Sequence, residues 1–69
     1  MDDSDRKKLE TLLNYWVEHN DEHGAEFKEW AVKAKGFGRE DVSEDLLAAY
    51  RQIDEANKSL LRASEKLKK

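Results

Sequence analysis

The sequence predicts an all-α fold: an antiparallel two-helix hairpin that dimerises into a four-helix bundle or coiled coil. Three observations predict it. Apolar residues recur at steps of three and four along two long stretches, the period of helices packed lengthwise. A single short break, Gly36-Phe37-Gly38, separates those stretches. The composition, 42% charged with no proline and three glycines, is that of long solvated helices. At 69 residues the chain reads as one domain, 1–69, with helices over about 5–35 and 40–67 and a turn at 36–39.

The first helix is expected to start after Ser4, whose hydroxyl suits an N-cap. Its expected seam is Leu9, Leu13, Trp16, Asn20, His23, Phe27, Trp30 and Ala34, with Leu12, Tyr15 and His19 on the flank. Asn20 and His23 interrupt the middle of that seam. Gly36 is expected to close the helix in the left-handed conformation, Gly38 to relax the turn, and Phe37 to tuck onto Trp30 or Val42. A loop this short makes the helices antiparallel. In the second helix Leu46, Ile53, Leu60 and Leu67 recur every seventh residue, with Val42, Ala49, Ala56 and Ala63 between them. Small residues alternating with large aliphatics allow close helix approach.

Charges agree with an antiparallel pairing. Asp2, Asp3 and Asp5 stand at the positive end of the first helix and Lys66, Lys68 and Lys69 at the negative end of the second. At the other end Lys33 and Lys35 face Glu40, Asp41, Glu44 and Asp45. Exposed pairs of this kind contribute about 0–1 kcal/mol each.

Several function classes drop out. The net charge is −3 and acids and bases interleave, so no basic stripe invites nucleic acid. No apolar run reaches membrane-spanning length. The start, Met1-Asp2-Asp3-Ser4-Asp5, is unlike a signal or transit peptide, and the expected location is cytoplasmic. Without cysteine there are no disulfides and no thiolate ligands. A two-helix hairpin this small cannot cover its own apolar face, and Trp16, Trp30, Phe27, Tyr50, Leu47 and Leu61 widen that face. The expected partner is a second copy, in a symmetric homodimer.

One constellation suggests chemistry. The chain's two histidines, His19 and His23, stand four residues apart, one helical turn on one face, where two imidazoles can grip one metal ion. Glu22 and Glu26 each follow a histidine by three residues and are candidate extra ligands or acceptors of imidazole hydrogen bonds. Tyr15 precedes His19 by one turn on the same stripe. Imidazoles with few carboxylates suit nickel, copper, zinc or cobalt. The bland alternative is a polar layer, with Asn20, that sets register and binds nothing. Gly24 costs about 1 kcal/mol in a helix interior and reads either as close helix approach or as room beside His23. Catalysis is not expected. The stretch His-Asn-Asp-Glu-His lacks glutamate directly after the first histidine, so it is not the zinc-protease helix. Trp16 and Asn20 occupy the places where a di-iron bundle carries glutamate.

The stretch Tyr15-Trp16-Val17-Glu18-His19-Asn20-Asp21-Glu22-His23 resembles the nickel-binding motif of CooJ-type nickel chaperones: His, Trp or Phe, two residues, His, three residues, His. Trp16, His19 and His23 match it. The similarity runs on through Glu26-Phe27-Lys28-Glu29-Trp30-Ala31 and Ala34-Lys35 to Glu55-Ala56-Asn57, from about Leu12 to Leu67. The resemblance implies an all-helical dimer with a Ni2+ site built from both subunits, delivering metal to a client nickel enzyme, with Trp16 supporting the site. The His-rich tail of some such chaperones is absent. Tyr15 replaces the motif's first histidine, and a phenol, with an ordinary pKa of about 10, is a poor nickel ligand at neutral pH. Two readings follow: a site kept by His19 and His23 with water or Glu22, or a structural or protein-interaction bundle that has lost its metal.

Overall fold

The computed structural model of the protein describes residues 3–69, so Met1 and Asp2 lie outside the described residues, and with them one of the acids expected at the start of the first helix. Helix α1 spans Asp3–Gly36 and helix α2 spans Glu40–Leu67. They form an antiparallel hairpin with extents of 53 × 14 × 12 Å. Thirty-four helical residues are about 51 Å long, so α1 sets the length of the molecule.

Ser4 lies inside α1 and does not cap it, because the helix is already under way at Asp3. The other end of α1 is closed by Gly38, and not, as expected, by Gly36. Gly38 alone among the described residues takes a positive φ, 90°. Arg39 N–H donates to the Ala34 carbonyl at 2.9 Å and Gly38 N–H to the Lys35 carbonyl at 3.2 Å. This is the Schellman arrangement, which needs its left-handed residue just past the helix. Phe37 is 67% exposed and therefore does not tuck back onto the helices. Arg39 precedes α2 without a side-chain cap; its guanidinium forks onto Asp41 at 3.0 and 3.1 Å and holds that carboxyl below the usual carboxylate range. The charge pairing expected at this end is present in Lys35–Glu40, at 4.0 Å. At the far end Arg6 donates to the Leu67 carbonyl, 2.6 Å, and satisfies a carbonyl that the end of α2 leaves without a helical partner.

The seam between the helices is rotated by one residue from the one expected. On α1 the buried and half-buried line is Leu13, Val17, Asn20, Gly24, Phe27, Ala31, Ala34; on α2 it is Ser43, Leu46, Tyr50, Ile53, Asn57, Leu60, Ser64, Leu67. Both keep the four–three step of a lengthwise seam. Val17, Gly24 and Ala31 thus replace Trp16, His23 and Trp30, while Ser43, Tyr50, Asn57 and Ser64 replace Val42, Ala49, Ala56 and Ala63. The reason is steric. Gly24, Ala31, Ala34 and Ser43 are the small residues that let two helix backbones come close, and all four are buried.

The centre of this seam is polar. Asn57, 6% exposed, accepts from Asn20 Nδ2 at 2.9 Å and donates to Asp21 Oδ1 at 2.9 Å and to the Val17 carbonyl at 3.4 Å. Among the described residues no buried side-chain polar atom lacks a partner. A satisfied asparagine layer of this kind costs little and fixes which residues lie level across the helices. It lies between Tyr50–Gly24 on one side and Leu60 on the other.

Candidate metal centre

His19 and His23 lie near the middle of α1, on the stripe next to the α1–α2 seam. His19 is exposed and His23 half-buried. Because α1 is regular here, the two rings stack one turn apart, with the Nε2 atoms 3.0 Å from each other. The rings meet edge to face, centroids 4.5 Å apart and planes at 87°.

The pair sits inside an aromatic ladder built on i, i+4 spacing. Tyr15 stacks on His19, centroids 5.4 Å apart and nearly parallel at 14°. Phe27 backs His23 at 6.1 Å. Both rings thus have aromatic neighbours one turn away on the same stripe. Phe27 was expected only as a seam residue; its second role as backing for His23 follows from the same four-residue spacing.

The 3.0 Å separation has two chemical meanings. One imidazole can donate Nε2–H to the other's Nε2 lone pair. Alternatively, both lone pairs can be turned to one ion. Nitrogens bound cis at about 2.0–2.1 Å around a square-planar or octahedral ion lie about 2.8–3.0 Å apart, against about 3.3–3.4 Å around a tetrahedral one. At 3.0 Å the pair makes a hydrogen bond, and the same closeness puts both nitrogens within reach of one ion.

Each remaining candidate has a definite place. Among the described residues, no three side chains of the His, Asp, Glu and Cys types gather as a metal-binding group. The structure therefore brings His19 and His23 together without adding Glu22 or Glu26 to them. Tyr15 reaches His19 through its ring face. Trp16 is 38% exposed beside the pair. Gly24 faces α2 and not His23: a methyl group there would lie 3.4 Å from Tyr50 Cδ1 and 3.8 Å from Ile53 Cγ2. The opposite flank carries an open groove of ≈ 290 Å³, in which Lys28 lies 5.1 Å above the Tyr50 ring.

The Asn20–Asn57–Asp21 network is the feature that sequence reasoning missed. Asn20 stands in the expected seam, but its partner Asn57 lies one residue beyond the alanine row that hydropathy selects. Its spacing of seven from Tyr50 and from Ser64 was the available signal.

No helix among the described residues is long and apolar enough to cross a membrane. A family model described as a domain of unknown function (DUF8180) matches residues 9–67. No curated protein and no solved structure matches the chain.

Proposed function

The chain belongs to the DUF8180 family of domains of unknown function, and from its geometry we propose that it is a transition-metal-binding helical hairpin, with His19 and His23 as ligands and nickel as the first metal to test. The observation that carries this reading is the approach of the two Nε2 atoms to 3.0 Å, which puts two imidazole nitrogens within reach of one ion. Tyr15 and Phe27 flank the pair along the same stripe, and the rings would turn from each other toward the ion on binding. In the metal-free state the two Nε2 atoms share one hydrogen bond; to ligate an ion through both, the donating ring would carry its proton on Nδ1 instead. Water would complete the coordination, and Glu22 or Glu26 would join it only by turning their side chains toward the pair. Delivery of the metal to a client enzyme is the role suggested by the resemblance to nickel chaperones, and an aromatic-flanked, partly exposed site suits an ion that must leave again.

A titration of chelator-treated protein with nickel at neutral pH, followed by calorimetry, tests the proposal. The expected result is saturable binding that His19→Ala and His23→Ala each abolish while helicity by circular dichroism stays within a few per cent. Absence of saturable binding by the parent chain sinks the reading. A second reading, a protein-interaction bundle without metal, is favoured by the exposure of Phe37 at 67% and Leu61 at 53%. It predicts that alanine at His19 and His23 changes neither metal affinity nor assembly.

A further inference from the structure

The rotation of the seam leaves a second stripe off the α1–α2 contact, whose rings meet neighbours on α1 itself: His23 Nε2 lies 3.0 Å from His19 Nε2, and Lys33 Nζ lies 4.4 Å over the Trp30 ring. Trp16, His23 and Trp30, one residue before each of Val17, Gly24 and Ala31, form a row of large rings along one edge of α1. Trp16 is 38% and Trp30 53% exposed. On α2 the residue before each of Ser43, Tyr50, Asn57 and Ser64 is Val42, Ala49, Ala56 or Ala63, a row of small side chains. In an antiparallel pair, positions that precede the seam in this way fall on the same side of the hairpin. One face therefore carries large rings along one edge and small side chains along the other. The hairpin has little else to hold it: its buried apolar residues are Leu13, Ala31 and Ala34, and no large side chain among the described residues is fully buried. A core of that size does not sustain a domain of this length.

We infer that this face docks onto the same face of a second copy, related by a two-fold axis parallel to the hairpin, so that α1 of each chain lies on α2 of its partner. This is independent of whether His19 and His23 bind metal. Three observations select the occupant and the orientation.

The first is shape. Large rings on one edge and alanines on the other are each other's complement, and a closed two-fold contact uses one patch twice. Placing α1 on α1 instead would set tryptophan rows against each other and alanine rows against each other. One contact would be wide and the other narrow, and the two hairpins would splay.

The second is level. Asn20 lies opposite Asn57, and Gly24 opposite Ile53. On that scale Trp30 stands level with the interval between Val42 and Ala49, His23 with that between Ala49 and Ala56, and Trp16 with that between Ala56 and Ala63. A two-fold axis parallel to the helices preserves these levels across the dimer. Each ring then enters a gap between small residues of the partner, knob into hole.

The third is charge. Lys33 comes level with the partner's Asp45, an opposite-charge pair on the border, and Glu26 with the partner's uncharged Gln52.

Sedimentation velocity of the full chain at micromolar concentration should give a dimer. Ala56→Arg should shift it to monomer, whereas Ala25→Arg, on the far side of α1, should leave the dimer in place. Because loss of the dimer can unfold so small a hairpin, a second measurement uses the absence of native cysteine. Glu26→Cys chains are mixed with Ala49→Cys chains and oxidised. The expected product is a mixed disulfide-linked pair in excess over either self-linked pair. A folded monomer in sedimentation overturns the inference. So does a dimer in which Glu26→Cys chains link only to themselves, or in which no mixed link forms.

Discussion

A methyl group at position 24 would lie 3.4 and 3.6 Å from the Tyr50 ring and 3.8 Å from Ile53, which is ordinary van der Waals contact. Gly24 has a helical φ, so alanine there carries no backbone strain. Alanine also gains about 0.8–1.0 kcal/mol of helix propensity over glycine. Gly24→Ala should therefore stabilise the protein by roughly 0.5–1 kcal/mol, a rise in Tm of a few degrees in a domain of this size. A valine, with two more carbons aimed at Tyr50, should lower Tm. A thermal melt of both variants checks the pair; a destabilised Gly24→Ala would mean that the helices need the closest approach glycine allows. Also at this scale, the histidine pair has a definite pH signature. Protons and metal ions compete for the same imidazole nitrogens, so nickel affinity should fall as the pH is lowered. Nickel affinity that is flat between pH 5 and 8 would exclude histidine ligation.

The helices themselves owe their register to Asn57. Replacing it with alanine strands the Asn20 amide and leaves a gap in the seam; the expected cost is about 1–3 kcal/mol, read from a denaturant melt. Replacing Asn20 and Asn57 together with leucine removes both polar partners and should recover most of that loss. The double variant should also be less particular about its pairing, visible as broadened or multiplied backbone amide resonances. A fully stable Asn57→Ala would show that the layer contributes nothing. At this scale the sequence is both informative and misleading. The two helices and the turn are legible because charge-rich, proline-free stretches with four–three apolar spacing have one common outcome, and because Gly36-Phe37-Gly38 interrupts them. Which glycine ends α1 is not legible, since either can go left-handed and only the hydrogen bonds from Gly38 and Arg39 decide. The seam is misread by one residue for a physical reason. Side by side on each helix run two stripes of identical period, and the large side chains lie on the outer one. Hydropathy favours Trp16 and Trp30, whereas close packing of backbones favours Gly24, Ala31 and Ser43. The histidine pair survives the misreading, since four-residue spacing brings His19 and His23 together whichever face is buried; the Asn20–Asn57 contact does not.

In the whole molecule the two proposals meet in one quantity, the number of ions bound per chain. With α1 lying on the partner's α2, the two α1 helices occupy diagonal corners of a four-helix bundle. Each His19–His23 pair then faces its partner's alanine row and not the partner's histidines. Every chain binds its own ion, and a titration should saturate at about one nickel per chain. With α1 on α1, the pairs of both copies would converge near the two-fold axis, and saturation would come at about one ion per two chains, the shared site that the nickel-chaperone resemblance implies. The two outcomes also differ in their link to assembly. A site held within one chain stabilises the folded chain by mass action, about 2.7 kcal/mol at a hundredfold excess over Kd, and, because folding and dimerisation are coupled in so small a hairpin, favours the dimer as well. A shared site binds only the dimer, so nickel would lower the dimer dissociation constant in proportion to its own affinity. Stoichiometry therefore separates the cases, with sedimentation run beside the titration to establish the dimer. One ion per chain supports docking of α1 on α2. One ion per dimer overturns that docking while keeping His19 and His23 as ligands, because each reading stands on its own residues: the metal on two imidazoles 3.0 Å apart, the dimer on rings and alanines along one face.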